Sequence, residues 1–213
     1  MPKRVDHAER RTEIAEALVR VAGRHGLHAV GMRDVAAEAG VSLRLVQYYF
    51  ETKEKLLLFG LQYLTERFGA RVATRIKDSG DSPGPRAMVE ALLMAALPTD
   101  EESRTFHFVY TSYAMLAVND SALAAQPFIK DPDAAEDAVT GILRQAQEAG
   151  LLRPGVEPRL EAAGLLAMSA GLGTGILVGQ RSPESAVAVL EHHLDRIFHG
   201  GERDLPTRPT GVA

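Results

Sequence analysis

The stretch RDVAAEAGVSLRLVQYYFETKEKLL, from Arg33 to Leu57, decides the fold. Val35, Ala36 and Ala39 place small apolar groups at helical spacing, Gly40 can take a positive φ, and Val41 closes over the turn. Ser42 then caps a second helix, its hydroxyl placed to accept a backbone N–H one turn in, and that helix is expected to reach about Tyr49. Two short helices joined in this way form a helix-turn-helix, whose second helix offers one face to the major groove of DNA. Spacing assigns the faces. Val46 and Phe50, four apart, join Val41 in the core, while Arg44 and Gln47, three apart, point elsewhere. Arg matches the paired acceptors of guanine, Gln matches adenine, and Leu43 can touch a thymine methyl. Out of context, the same Arg and Gln also read as ordinary solvated side chains.

Three runs carry a more specific likeness: A-G-V-S at Ala39–Ser42, V-Q-Y-Y-F at Val46–Phe50 and T-K-E-K-L at Thr52–Leu56. Over about the first quarter of the chain these resemble the DNA-binding domain of the tetracycline-repressor (TetR) family of bacterial transcription regulators. The sequence departs from the residues most usual in that family at Gly31, Leu45, Gln47 and Tyr48. The resemblance implies an all-α homodimer. Three N-terminal helices bind operator DNA, and a larger C-terminal helical domain binds a small molecule and dimerises. It further implies DNA contacts at Arg33, Ser42, Leu43, Arg44, Gln47, Tyr48, Tyr49 and Lys53, with Tyr49 and Lys53 on phosphates and Thr52 capping a fourth helix.

Composition sets the outer limits. At 213 residues and 46% hydrophobic, the chain suits one large or two small folded, soluble domains. It has no cysteine, so disulfides, thiolate metal sites and thiol nucleophiles are excluded, which fits the cytoplasm as the expected location. MPKRVDHAERR has no apolar run behind its basic residues and is not a secretory signal. Residues 1–55 carry ten Lys and Arg against eight Asp and Glu, and residues 56–213 carry fourteen against twenty. Only the N-terminal part suits a polyanion. Lys3, Arg4, Arg10 and Arg11 form either a basic arm or a solvated, disordered end.

The first helix is expected from His7 to His25, with Ile14, Leu18 and Val21 as its apolar stripe and Gly26 as its stop. Thr52 opens a long helix to about Lys77, a rod tying a head (residues 1–52) to the larger domain (53–201), followed by a disordered tail (202–213). Arg67, Arg71 and Arg75 on that rod read as a solvated face. SGDSPGP, residues 79–85, is a loop; helices follow over Arg86–Leu97 and, from a Thr99–Glu102 capping box, to about Val118. A less regular segment around Pro127 precedes a helix started by Asp131 and Pro132, with Val139, Ile142 and Ala146 on one face and Gly150 as its stop.

FHFVYTSYAML, Phe106 to Leu116, concentrates aromatic and hydroxyl groups that cannot all face one core. Pattern alone allows ordinary core packing; together with the resemblance it indicates a small-molecule cavity for an apolar ligand with one or two polar groups. The candidate lining is Phe106, His107, Tyr110, Thr111 and Tyr113, joined by Met88, Leu92, Met168 and Leu172.

Ala162 to Gln180 carries no charge and contains overlapping G-x-x-x-G spacings, including Gly171 and Gly175. Its glycines, Ser169 and Thr174 make it only weakly hydrophobic, without flanking basic or aromatic belts, so it reads as a buried helix rather than a membrane anchor. Val187, Leu190, Leu194 and Ile197 give the last helix a narrow seam, and the expected dimer interface combines that seam with Gly171 and Gly175. Metal, cofactor and catalytic sites are not expected. His25 and His28 lack a third ligand, adjacent His192 and His193 diverge, and no P-loop, G-x-G-x-x-G, G-x-S-x-G or H-E-x-x-H occurs. The rival readings are an enzyme using the C-terminal pocket and a ligand-independent DNA-binding protein.

Overall fold

Side-chain caps and prolines set where the helices start, in a computed structural model that describes residues 7–80, 82–125 and 133–199. The helices are α1 (His7–His25), α2 (Met32–Glu38), α3 (Leu43–Phe50), α4 (Lys53–Asp78) and α5 (Pro85–Ala96). Beyond them come α6 (Glu101–Ala117), α7 (Ser121–Ala124), α8 (Asp133–Glu148), α9 (Pro158–Leu177) and α10 (Pro183–Ile197). The hydroxyls of Ser42, Thr52 and Ser182 each accept a backbone N–H three residues on, at 3.2, 3.3 and 3.2 Å. Pro85, Pro158 and Pro183 occupy first helical positions, where a missing N–H costs nothing. Gly31 cannot cap α2 with a side chain; instead the Asp34 carboxylate accepts the Gly31 N–H at 3.0 Å.

One capping assignment moves. The cap of α6 is Asp100, not Thr99: Asp100 Oδ1 accepts from Ser103 N at 2.8 Å, and Ser103 Oγ accepts from Asp100 N at 3.0 Å. A carboxylate is the stronger acceptor, and Ser103 supplies the return bond that Glu102 was expected to make. Glu102 is thereby freed for an ion pair described below.

Two apolar cores form: the first reaches across residue 52, and the second lies wholly beyond it. The first joins α1, α2, α3 and the opening half of α4 to Val109, Tyr113 and Ala117 of α6 and Leu123 of α7. The second is built from α5, α8, α9 and α10, with Phe198 closing it. Arg153 N donates to Ile197 O and His199 N to Leu151 O, both at 2.9 Å, stapling the end of α10 to the turn before α9. The first core also dictates a close approach: a Cβ on Gly60 of α4 would overlap Leu18 and the Tyr113 hydroxyl.

Helix α9 is long and apolar enough to cross a membrane, yet Leu165, Leu172 and Ile176 pack into the second core. On α10, Leu190, Leu194 and Ile197 are buried in that same core and Val187 packs against it. Leu190, Leu194 and Ile197 are thus used within one protomer, while Val187 stays half-buried. Gly175 is buried as well, facing the Arg181 side chain, whereas Gly171 is exposed. Lys3, Arg4, the segment around Pro127, the Asp131–Pro132 start of α8 and the tail from Glu202 lie outside the described residues.

Candidate DNA interface and ligand cavities

The turn between α2 and α3 has Gly40 at φ 65°, and Val41 N reaches back to Ala36 O at 2.9 Å. It presents α3 with Val46 and Phe50 fully buried and Ser42, Arg44, Gln47 and Tyr48 exposed. Leu43 and Tyr49 are half-buried, both packed against the head core. Tyr49 is wedged edge-on between His7 and Tyr48, with ring centroids 4.9 and 5.3 Å away, so the start of α1 braces the end of α3.

Charge pairing separates structural from available cations in this head. Arg20 and Arg24 of α1 both bind Glu38 of α2, whose carboxyl is held below its usual range by those two hydrogen bonds. Arg10 pairs with Glu13 and Lys55 with Glu51. Arg11 lies over the Phe59 and Phe50 rings, 4.4 and 5.3 Å from their centroids, so it is packed and not part of a free arm. Among the described residues of the head, Arg33, Arg44 and Lys53 have no carboxylate partner. All three stand in the first turn of a helix: α2, α3 and α4 respectively. A cation there opposes the helix dipole, at a cost of about 0.3–1 kcal/mol each, and with the free N–H groups it makes an anion-seeking surface.

Two open cavities flank the first turn of α6. The smaller, about 590 Å³, lies between α1, α4 and α6. On its wall Phe68 stacks on Phe106 at 4.9 Å and 10°, and Phe106 continues to Tyr110 at 6.0 Å and 5°. Arg67 pairs with Glu102; Arg71 grips Asp100 with both terminal nitrogens and stands 3.6 Å from Glu102. Burial opposes ionisation of Asp100, but Arg71 and the Ser103 hydrogen bonds prevail and bring its carboxyl down to about 2. The arginine row of α4 is thus not simply a solvated face: Arg71 is largely buried, and Arg67, although exposed, is paired. It clamps α4 to α6, and the acidic run Asp100–Glu102 was the sequence signal for it.

The larger groove, about 830 Å³, runs between α6 and the end of α9 and is floored by Phe108, Met115, Leu177 and Val178. Of the residues expected to line a cavity, Phe106 borders the smaller one and Thr111 the larger. Tyr113 is fully buried in the head core, where its hydroxyl donates to Leu57 O at 2.7 Å and burial raises its pKa. His107 sits between α5, α6 and α9, its Nδ1 3.3 Å from Ala96 O and its Nε2 3.4 Å from Thr174 Oγ1. A carbonyl only accepts, so Nδ1 carries the proton; burial lowers the ring's pKa and keeps it neutral. Leu92, Met168 and Leu172 belong to the second core, and half-buried Met88 borders neither cavity. Phe108, Leu177 and Val178 were missed because nothing in their local spacing brings α6 and the end of α9 to one groove.

Residues 14–58 match the profile of bacterial regulatory proteins of the tetR family, and residues 85–199 match that of the C-terminal domain of BetI-type transcriptional repressors. The chain belongs to the TetR family of transcriptional regulators. It is 31% identical over 176 residues to the HTH-type transcriptional regulator PksA of Bacillus subtilis, spanning 81% of this chain and 80% of that one. The BetI regulator of Agrobacterium fabrum is 35% identical over 102 residues, about half of either chain. A transcriptional regulator from Rhodococcus sp. Rha1 superposes with a TM-score of 0.74 at 28% identity, covering 88% of this chain and 95% of its own. A proposed regulator from Saccharomonospora viridis, solved in complex with choline, gives 0.78 at 22% identity over 91% and 100%, a likeness of fold alone. This TetR-family chain is a DNA-binding transcriptional regulator of the repressor type, with the family's helix-turn-helix inside residues 14–58. Among the described residues there is no cluster of His and carboxylates fit to hold a metal.

Proposed function

We propose that this regulator acts on the chromosome in the cytoplasm as a homodimeric repressor. It would bind a palindromic operator through two copies of α3 and be released by a small, largely apolar molecule. The observation that supports the DNA reading is a set of three cations outside any ion pair, Arg33, Arg44 and Lys53, each in the first turn of a helix, with Arg44 in a turn that holds no acid. Arg44 and Gln47 face outward from α3 and are assigned to base edges, with Ser42, Leu43 and Tyr48 beside them; Arg33, Tyr49 and Lys53 are assigned to phosphates.

Ligand control is supported by the position of α6. Its first turn separates the two cavities, while Val109, Tyr113 and Ala117 further along pack in the head core. A ligand that shifts α6 thereby shifts Leu57 and the start of α4, and with them the spacing of the two reading heads. By linkage, operator DNA weakens ligand affinity by the same factor. For dimerisation, α9 and α10 are proposed to meet their copies, with exposed Gly171 on the outer face of α9.

Selection from random duplex DNA at near-physiological salt, with sequencing of the retained pool, tests the reading. Enrichment of a palindrome with two like half-sites is expected. The retained duplex then serves to screen for release, with choline, the ligand of the S. viridis neighbour, among the compounds tried. Retention governed by salt alone, with no enriched sequence, would remove the proposed base contacts.

A further inference from the structure

Three rings cluster at the end of α3. His7, in the first turn of α1, meets Tyr49 at 66° with centroids 4.9 Å apart and stands 6.0 Å from Tyr48. Tyr48 in turn meets Tyr49 at 5.3 Å and is 67% exposed. His7 is exposed as well, and no hydrogen bond or ion pair ties its nitrogens to another described residue. A phenyl ring would brace Tyr49 equally well. What an imidazole adds is a charge that it can gain or lose between about pH 5 and 8.

The surroundings decide when that charge is favoured. In the free protein it stands in the first turn of a helix, where the dipole opposes a cation. Arg10 and Arg11 follow within one turn, Arg10 paired with Glu13 and Arg11 held over the Phe50 and Phe59 rings. Glu9 lies two residues on, toward another face, and Asp6 precedes the ring in the chain. From α3 the imidazole meets Tyr48 and Tyr49 and no acid, Arg44 being the one charged residue of that helix. Between α3 and α4, Glu51 is engaged by Lys55, and Lys53 and Glu54 open α4. Carboxylates and phenols hold one charge state between about pH 6 and 8, so of these groups the imidazole is the one that changes. Bound DNA reverses the balance: with Tyr49 on a phosphate, a ring packed against Tyr49 stands beside an anion.

We infer that His7 is a positioning residue for operator binding, whose ring holds Tyr49 at the DNA backbone and which takes up a proton as the phosphate arrives, so that operator affinity rises as pH falls. The inference rests on the proposed placement of the outward face of α3 on DNA. The sign follows from linkage. DNA stabilises the charged imidazole, so the gain in affinity is full where the bound form is protonated and vanishes where the ring is neutral in both states. Acid therefore favours the DNA-bound regulator.

The test measures the full-length protein on the duplex enriched from random DNA, from about pH 8 to about pH 6 and over a range of salt. The unmodified chain is compared with His7→Phe, His7→Ala and Arg44→Ala. His7 lies outside the head core, and thermal unfolding at each pH checks that its variants remain folded. The affinity of the unmodified chain should rise about two- to fivefold per half-site toward acid, the worth of one exposed ion pair. Its salt slope should steepen by up to about one per half-site. His7→Phe keeps a ring for Tyr49 but takes no proton, and should lose both responses. His7→Ala lacks the ring too, and should bind more weakly than His7→Phe at the alkaline end. An unmodified chain without a pH response overturns the inference, as does a His7→Phe protein that keeps one, which would assign it to another of the seven histidines. Equal binding by His7→Ala and His7→Phe at the alkaline end overturns it by removing the brace. If Arg44→Ala leaves base preference intact, the placement of α3 fails and His7 with it; if preference relaxes while His7→Phe still responds to pH, the His7 inference alone is lost.

Discussion

The two cores of this regulator are built in opposite ways. The body core closes within consecutive elements, α8, α9 and α10 with α5, and takes no large side chain from the head. The head core cannot close with its own helices; it takes Val109, Tyr113 and Ala117 from α6, and Tyr113 bonds to Leu57 across 56 residues of chain. Where the head stops therefore differs between chain order and packing. The difference teaches where a signal can cross. One side of α6 borders the cavities and the other fills the head core with Val109, Tyr113 and Ala117, so it is the element whose displacement both regions feel.

The sharpest way to break this comparison is Tyr113→Ala. Removing a fully buried aromatic should cost about 3–5 kcal/mol, and the loss should weaken operator binding although the residue is distant from DNA in sequence. Denaturant unfolding and operator titration below the transition measure both, and unaltered operator binding by the folded variant would separate α6 from the head. Leu190→Ala, in the body core, should destabilise by about 2–5 kcal/mol yet leave the half-site preference of the remaining folded protein unchanged. Altered preference there would mean that the body core also shapes the head.

At the DNA surface the expected effects are smaller. Arg44→Ala should relax base preference at one position per half-site, worth about 1–3 kcal/mol, while Lys53→Ala should weaken all sequences alike and reduce the salt slope by about one per half-site. Preference left intact in Arg44→Ala would move the reading face. The smallest effect concerns Asp100. Its folded pKa of about 2 lies below the ordinary 3.8, so its contribution is fully present above 3.8 and is lost as pH falls toward 2. Half-exposed, the pair with Arg71 is worth about 1 kcal/mol or less. Asp100→Asn should lower stability at neutral pH by no more than that and flatten its fall over the acid window, as denaturant unfolding at several pH values would show.

The head was legible because its signals are local. A glycine turn, Ser42 and Thr52 caps and a Val46–Phe50 stripe each act within one helical turn, and each recurs where spacing placed it. The body was legible only as a set of helices. Which face of α10 turns inward depends on α5 and α8, far away in the chain, so a seam of Leu190, Leu194 and Ile197 looked the same whether it met a second copy or its own core. Tyr113 misled for a related reason. An aromatic with a hydroxyl suits a cavity wall, and nothing local reveals that Leu57 O stands within 2.7 Å to receive it. Arg67 and Arg71 of α4 likewise found acids 35 and 29 residues away.

The borrowed side chains of α6 have a consequence for how the protein breathes. Amides in α1 should not open to solvent as a separate unit while α6 stays in place, since Tyr113 packs with Leu18 of α1 against Gly60 of α4. Deuterium uptake in the head and in the second half of α6 should therefore rise and fall as one cooperative block, with α9 and α10 forming another.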